Sequence, residues 1–158
     1  MLNIKTSNGD VLGDMVPTHS SPLGANGVPS VILQKGNSLY SPSGAFRFTL
    51  QSDGNAVLQN VIDATLSRNW LAGTIPLNPA VDIQWNAIWA TGTNDKGVLQ
   101  LDMQDDGNLV VYNGSGAPWA SGTDGNPGAF LRMQDDGNLV IYSTGGVAIW
   151  SSGTQARK

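Results

Sequence analysis

Apolar residues occupy alternate positions on both sides of a short turn near the end of the chain. In the segment FLRMQDDGNLVIY, Leu131 and Met133 alternate with polar residues before an Asp-Gly pair, and Leu139 and Ile141 alternate after it. A period of two is typical of β-strands, and Asp-Gly between two such runs favours a hairpin. These four apolar residues can share one face, and we predict that they form part of the core.

The same hairpin pattern occurs three times. MQDDGNLVVY ends at Tyr112, MQDDGNLVIY ends at Tyr142, and a weaker copy, LQSDGNAVLQ, covers residues 50–59. A period of about 30 residues indicates a repeat architecture whose units build one common core. A second string, W-x-[ST]-G-T, follows each copy and begins at Trp89, Trp119 and Trp150.

The first unit departs from this spacing. Gln51 and Trp89 are 38 residues apart, whereas the corresponding intervals in the later units are 15 and 16. We take Trp89 rather than Trp70, which opens the similar string WLAGT, as the equivalent tryptophan because NAIW resembles VAIW. The sequence therefore predicts an N-terminal extension at 1–30, with one strand around 31–34, and a domain at 31–158 with an insert at about 61–85.

Composition supports an all-β fold and narrows the classes of function. All twelve acidic residues are Asp, there are 20 Gly, and both residue types favour turns over helices. The absence of cysteine excludes disulfides and Cys-based zinc sites. A net charge of −4 with scattered basic residues argues against nucleic acid, and no apolar run is long enough for membrane insertion. The start, MLNIKTSNGD, lacks the apolar core of a secretory signal, which leaves localisation open, with action on external glycans as one expectation.

The face opposite the predicted core carries a compact polar set. Asp accepts hydrogen bonds, Asn and Gln both donate and accept, and Tyr adds a hydroxyl on a flat ring. Such a set suits the adjacent hydroxyls and C–H faces of a sugar, although Asp-Gly-Asn is also ordinary turn chemistry. The candidate residues are Gln104, Asp106, Asn108, Val110 and Tyr112 in the second unit, and Gln134, Asp136, Asn138, Val140 and Tyr142 in the third. We expect the three repeat tryptophans to meet on a pseudo-threefold axis in the core instead of stacking on ligand.

The string Q-x-D-x-N-x-V-x-Y resembles the carbohydrate signature of the monocot mannose-binding, or bulb-type, lectins. It is intact at 104–112 and at 134–142, and the resemblance covers about residues 31–154. The resemblance implies a β-prism II fold of three four-stranded antiparallel sheets with pseudo-threefold symmetry. It also implies that the motif Asp and Asn bind the 2-hydroxyl of mannose, Gln the 3-hydroxyl and Tyr the 4-hydroxyl, while Val packs on the ring carbons.

The chain departs from the family pattern in its first copy. That copy keeps Gln51, Asp53, Asn55 and Val57, but Gln59 stands where the motif has Tyr, so we expect a weaker site there. The disulfide of the plant members cannot form in a chain without cysteine.

Other functions are also compatible with the sequence. An enzyme is one alternative, since paired carboxylates occur at Asp105/Asp106 and Asp135/Asp136, but neighbours on a strand point to opposite faces. His19, the single histidine, lies in the extension and is expected to be an idle surface residue. A calcium loop is disfavoured because that motif ends in Glu, and the chain has none. We therefore predict no catalytic residues, no metal and no cofactor.

The expected partners are mannose-containing glycans. A targeting module of a bacteriocin or toxin, or a degenerate member used for protein contacts, are the alternatives. We also predict a homodimer formed by exchange of the strand at 147–150, since exchange closes an open sheet edge. In the competing arrangement the N-terminal extension covers that edge in a monomer.

Overall fold

The computed structural model describes residues 4–5, 8–62 and 84–155, and builds them from strands and turns. Residues 63–83 of the predicted insert, including Trp70, lie outside the described residues. No helix among the described residues is long and apolar enough to cross a membrane. The strands are β1 Ile4–Lys5, β2 Val11–Leu12, β3 Ser30–Gln34, β4 Ser38–Tyr40, β5 Phe46–Leu50, β6 Ala56–Val61, β7 Trp85–Ala90, β8 Val98–Gln104, β9 Leu109–Asn113, β10 Trp119–Ala120, β11 Phe130–Met133, β12 Leu139–Tyr142 and β13 Ala148–Ser151.

These strands form three sheets, each built on one repeat. Their strand orders are β1-β2-β4-β5-β6-β7, β10-β9-β8-β3 and β11-β12-β13. All pairs are antiparallel except β2 with β4. The predicted all-β fold with three sheets is therefore confirmed, and so is the strand near residues 31–34, which is β3.

The number of strands differs from four in two sheets because of the segment before β3. Strands β1 and β2 extend the first sheet beyond β4. In the third sheet the fourth position is taken by Met15, which exchanges backbone hydrogen bonds with Leu131 at 2.9 and 3.1 Å. Met15 and Val11 are both fully buried members of the core. The described part of the predicted extension thus packs into the same core as the repeats.

The alternating pattern does place one face of each hairpin in the core. Leu131, Met133, Leu139 and Ile141 are at most 1% exposed, as predicted. The hairpins also pair in the predicted sense, with Leu131 opposite Ile141 and Met133 opposite Leu139. The polar residues between them consequently lie on the outer face, where the candidate sites are.

Three tryptophans, one from each sheet, meet where the three sheets come together. The ring centroids of Trp89, Trp119 and Trp150 are 5.6–5.9 Å apart, with the rings close to perpendicular. Strand pairing places two of these tryptophans at equivalent positions, since Trp119 pairs with Val111 of β9 and Trp150 pairs with Ile141 of β12. Edge-to-face packing of this kind stabilises aromatic pairs beyond the area they bury. The predicted meeting of the rings is confirmed, although each ring is only partly buried against the core.

We predict that Trp119→Ala lowers the free energy of unfolding by about 3 kcal/mol, because it removes contacts to two rings and opens a cavity between all three sheets. Chemical denaturation would measure this. The control is Trp85→Ala, which removes the same atoms from a ring that packs on Tyr40 and Arg47 instead of on two other tryptophans, and it should cost less. A stable Trp119→Ala protein that has lost sugar binding alone would show that this ring serves the ligand instead.

Candidate functional site

The three copies of the motif lie at hairpin turns on the outer faces of the sheets. We call them site 1 (Gln51, Asp53, Asn55, Val57 and Gln59), site 2 (Gln104, Asp106, Asn108, Val110 and Tyr112) and site 3 (Gln134, Asp136, Asn138, Val140 and Tyr142). They connect β5 to β6, β8 to β9 and β11 to β12.

A glycine is required at the corner of the turn in site 2. Gly107 has φ 96°, in the region that favours glycine, and its N–H donates to the Gln104 carbonyl at 3.0 Å. A Cβ on this residue would also lie 2.9 Å from the carbonyl oxygen of Thr123. The turn can therefore close against the Thr123 segment only with glycine at this position.

The motif Asp closes the turn from within in each unit. In site 2 the Asn108 N–H donates to Asp106 Oδ1 at 3.0 Å, and the same bond is 2.9 Å long from Asn55 to Asp53 and from Asn138 to Asp136. Side-chain acceptors two residues before an N–H are a standard way to stabilise turns. One carboxylate oxygen thus fixes the turn while the carboxylate stays on the outer face.

The motif Asn is held even more firmly, through its side-chain oxygen. Asn108 Oδ1 accepts from Ser121 Oγ at 3.1 Å, from the Gly122 N–H at 3.0 Å and from the Thr123 N–H at 3.2 Å. Asn55 and Asn138 repeat this set with donors at 91–93 and 152–154. Because three donors occupy the oxygen, the NH₂ group is the part of this side chain that can serve a ligand.

The donors to that oxygen belong to the W-x-[ST]-G-T string, whose role the sequence analysis missed. Thr123 closes the arrangement, since its hydroxyl donates to the Gly107 carbonyl at 2.6 Å. Thr93 and Thr154 donate to the equivalent glycines at 2.7 and 2.6 Å. The repetition of [ST]-G-T after each motif was the available signal for this contact. We call the bonds between the motif turn and this string the turn clamp.

In site 2 the remaining polar side chains already bind one another. The Gln104 amide donates to both carboxylate oxygens of Asp106 at 3.0 Å, and the Tyr112 hydroxyl donates to Gln104 Oε1. Gln104 is only 1% exposed. Three of the predicted site residues are thus brought together around the Gln104 amide. Its NH₂ group and its oxygen each point at a defined partner.

Site 3 contains the same pair in a more open setting. The Gln134 amide donates to the Tyr142 hydroxyl at 2.6 Å, and Gln134 is only partly buried. Phe130 stacks on the Tyr142 ring, with centroids 5.8 Å apart and planes tilted by 28°. The valines at the motif's fourth position are 2–3% exposed in every copy, so they form a floor under the polar groups.

An ion pair that joins distant parts of the chain borders site 3. The Arg132 guanidinium donates to both oxygens of Asp14, from Nε at 3.0 Å and from Nη2 at 2.8 Å. The hydrogen bond to Asp14 raises the pKa of Arg132 above its already high ordinary value. Beside this pair lies a cleft of about 330 Å³, lined by residues that include Asp14, Tyr40, Pro42 and Gln134.

Site 1 has a different arrangement where the motif Tyr is missing. Gln59 takes that position and accepts a hydrogen bond from Arg47 Nε at 2.7 Å. The Arg47 guanidinium in turn lies 4.1 Å from the centre of the Trp85 ring. The amide that would replace the hydroxyl is therefore bound to a cation, and Gln59 is 8% exposed.

The neighbouring carboxylates of the Asp-Asp pairs do not converge. Asp106 holds the motif turn, whereas Asp105 lies 2.8 Å from His19 Nδ1. In the third unit Asp135 accepts from the Ser43 N–H at 2.9 Å. Burial acts to raise the pKa of Asp135, but hydrogen bonds from Ser43 and Ser41 outweigh it and lower that pKa. His19 is on the surface, as expected, but it contacts Asp105 and is not idle.

Comparison with known proteins gives the same family as the motif. No protein-family profile matches the chain. Among solved structures, a monomeric monocot mannose-binding lectin from Gastrodia elata is 38% identical, with 78% of this chain and 92% of that chain covered and a TM-score of 0.56. The snowdrop (Galanthus nivalis) mannose-specific agglutinin, solved with methyl-α-D-mannoside, is 36% identical, with 78% and 91% covered and a TM-score of 0.50.

This chain belongs to the bulb-type mannose-binding lectin family. Its β-prism II fold is thereby confirmed, and its family is one of sugar-binding proteins and not of enzymes. A curated relative, the B-type lectin plumieribetin from Scorpaena plumieri, is 33% identical over 84 residues. That match spans 53% of this chain and 53% of plumieribetin, about half the length of each.

We predict that Thr123→Val lowers the free energy of unfolding by about 1–2 kcal/mol, because the Gly107 carbonyl and the turn clamp lose a buried donor while the shape of the side chain is kept. Denaturant titration would measure this against Thr144→Val, the same change at an exposed position. Equal stability of the two variants would contradict an energetic role for the clamp.

Proposed function

We propose that this lectin binds mannose or mannose-containing glycans through sites 2 and 3, and only weakly through site 1. The observation that carries the proposal is the linked Gln and Tyr pair on a clamped turn, which is present in sites 2 and 3 and replaced in site 1. The snowdrop relative, which shares the fold and is 36% identical where the two chains align, was solved with a mannoside bound.

In site 2 the proposed roles follow the chemistry of each group. Asp106 Oδ2, which the Gln104 amide holds and the Asn108 N–H does not use, accepts from the 2-hydroxyl of mannose, and the Asn108 NH₂ group donates to the same hydroxyl. Gln104 takes the 3-hydroxyl, and Tyr112 takes the 4-hydroxyl. Each sugar hydroxyl then meets a partner that the clamped turn already holds in place, so little ordering entropy is lost on binding.

Site 3 repeats these roles with Asp136, Asn138, Gln134 and Tyr142. Asp136 is exposed and Gln134 partly buried, so a sugar can reach this set directly. No metal is needed, because the side chains themselves match the hydroxyls in number and kind. Among the described residues, no group of His and Asp is arranged to hold a metal ion.

Site 1 is weaker in this proposal for an electrostatic reason. The Gln59 oxygen is engaged by Arg47, whose charge is held over the Trp85 ring. A sugar hydroxyl at this position would have to replace a charge-assisted bond, which is stronger than the neutral bond it could offer.

Several weak sites on one chain suit a glycan surface better than a free sugar. A shallow site for one sugar binds at about millimolar concentration, and engaging several sites at once raises the apparent affinity by factors of about 10² to 10⁴. We keep the predicted homodimer as part of this proposal. In the isolated chain β13 pairs with β12 of its own unit.

We predict that Asp106→Ala and Asp136→Ala each remove one binding site, because each deletes a charge-assisted acceptor for a sugar hydroxyl. NMR titration with methyl α-mannoside would count the sites that remain. Asp124→Ala, which removes an exposed carboxylate outside the three motifs, is the matched control and should keep wild-type binding. Wild-type affinity in the double variant would show that the sugar binds elsewhere.

We also predict that light scattering at micromolar concentration gives the mass of a dimer, because strand exchange closes the outer edge of β13. A monomeric mass for the wild-type chain, with undiminished agglutination of mannan-coated beads, would contradict the dimer and leave multivalency to the sites within one chain.

A further inference from the structure

The three sites differ at the position that faces the last motif residue across the hairpin. Strand register places Arg47 opposite Gln59 in site 1, Gln100 opposite Tyr112 in site 2 and Phe130 opposite Tyr142 in site 3. Directly opposite residues of an antiparallel pair have neighbouring side chains on the same face. Site 1 is therefore the site that has a charged side chain beside the point where the motif Tyr stands in the other two.

Two contacts hold the Arg47 side chain across the outer face of the first sheet. Its Nε donates to Gln59 Oε1 at 2.7 Å, and its guanidinium carbon lies 4.1 Å from the centre of the Trp85 ring. The Trp85 ring is itself packed edge-on against Tyr40, with centroids 6.3 Å apart. A guanidinium that is stacked on one face and bonded through Nε still presents both Nη groups at its edge. The positive charge of site 1 thus has a defined position and free donors.

This charge is not neutralised within the described part of the chain. No carboxylate there forms an ion pair with Arg47, whereas Asp14 pairs with Arg132 next to site 3. The Arg47 Nη atoms and the Gln59 NH₂ group make no hydrogen bond to another described residue, and no described side-chain nitrogen is buried without a partner. These donors therefore reach solvent. Ala87, which pairs with Gln59 on β7, is small and exposed, so it leaves them uncovered.

Site 2 carries the opposite charge at the equivalent end. Asp102 lies opposite the motif Val110 and accepts a hydrogen bond from the Gln100 amide at 2.8 Å. A negatively charged group on a bound sugar would be repelled by a carboxylate at this position and attracted by Arg47 in site 1. The two sites are consequently suited to sugars of different charge.

We propose that site 1 binds a hexose that carries a negatively charged group at C6, such as a uronic acid. The inference rests on the proposed function, which puts the 4-hydroxyl of the sugar at the last motif residue. C6 is attached to the ring carbon next to the one that bears this hydroxyl, so a group at C6 lies at the Gln59 end of the site, where Arg47 is. The two Nη groups of Arg47 match the two oxygens of a carboxylate, and the Gln59 NH₂ group adds a third donor.

This assignment also explains why neutral mannose is a poor ligand for site 1. The 4-hydroxyl of a neutral sugar must compete with Arg47 for the Gln59 oxygen. An anionic group at C6 binds the free Nη donors instead and leaves that bond in place. The replacement of Tyr by Gln59 thus changes the class of sugar that site 1 selects and keeps Gln51, Asp53 and Asn55 for the 2- and 3-hydroxyls.

The test uses the Asp106→Ala/Asp136→Ala double variant, which removes sites 2 and 3 and leaves site 1. NMR titrations compare methyl α-mannoside with methyl α-mannosiduronate and with methyl α-mannoside 6-phosphate. We expect the anionic sugars to bind about tenfold more tightly than the neutral one, the effect of one charge-assisted hydrogen bond, and to shift the side-chain signals of Gln59 and Trp85. A gain for one anion alone identifies the group that site 1 prefers, and a gain for neither overturns the inference.

Arg47→Met in the same background should remove the preference for the anionic sugars, and Arg47→Lys should retain part of it. The control is Lys35→Met, which removes a positive charge from an exposed turn between β3 and β4 and should leave the preference unchanged. An unchanged preference in Arg47→Met, or an equal loss in Lys35→Met, would overturn the inference. With Arg47 intact, added NaCl should weaken binding of the anionic sugars and not of methyl α-mannoside, and an equal salt response of all three would also overturn it.

Failure of the proposed function gives a different result. In that case methyl α-mannoside does not shift the signals of sites 2 and 3 in the wild-type chain, or binds the double variant with wild-type affinity. If the wild-type chain binds methyl α-mannoside at sites 2 and 3 and the double variant shows no preference for an anionic sugar, the proposed function stands and the assignment of site 1 is wrong.

Discussion

The side-chain oxygen of one asparagine in each repeat connects the outer face of this lectin to its centre. Asn108 Oδ1 accepts three hydrogen bonds from the segment that leaves β10, and Asn55 and Asn138 do the same in their units. That segment begins two residues after the tryptophan that contacts the other two at the axis. The bonds that shape each motif turn therefore also set where the strand carrying the central ring ends. Core packing and site geometry are coupled through a group that is not itself a core residue.

In the proposed function, this coupling holds the polar side chains in place before a sugar binds. The turn is closed by Asp106, by Gly107 and by the hydroxyl of Thr123, so Gln104 and Tyr112 project from strands of fixed register. Preorganisation of this kind limits the entropy lost on binding, which matters most where a ligand makes few contacts. The clamp is common to all three units, and their differences must come from residues outside it.

Those differences lie on the outer face opposite the motif Val, where the units carry Thr49, Asp102 and Arg132. Asp102 and Arg132 each bind a part of the segment before β3, Ala25 and Asp14 respectively. The same N-terminal segment thus binds the sheet beside site 2 and lines the cleft beside site 3. The repeats give the three sites the same turn geometry. The segment before β3, which is not repeated, makes the surroundings of the sites different.

Much of this could be predicted from local pattern. Alternation at Leu131, Met133, Leu139 and Ile141 predicted the hairpin and its core face, because a strand's register is set within a few residues. The contact between Ala25 and Asp102 joins residues 77 apart, and Arg132 meets Asp14 across 118. Nothing in the spacing of such residues reveals the pairing, since it depends on how the segment before β3 returns across the sheets. The second role of the motif Asn was missed because two of its three partners are backbone N–H groups, and the repeated [ST]-G-T string was the one sequence signal for it.

The central claim is that two clamped turns of the three hold sugar through side-chain amides and carboxylates. Side-chain ¹⁵N NMR during titration with methyl α-mannoside tests it most directly, because each amide NH₂ group reports its own surroundings. The account predicts that the signals of Gln104, Asn108, Gln134 and Asn138 shift together with sugar concentration, while those of Gln51 and Asn55 respond only at much higher concentration. Unmoved signals at the first four, with binding detected elsewhere on the chain, or an equal response at Asn55, would contradict it.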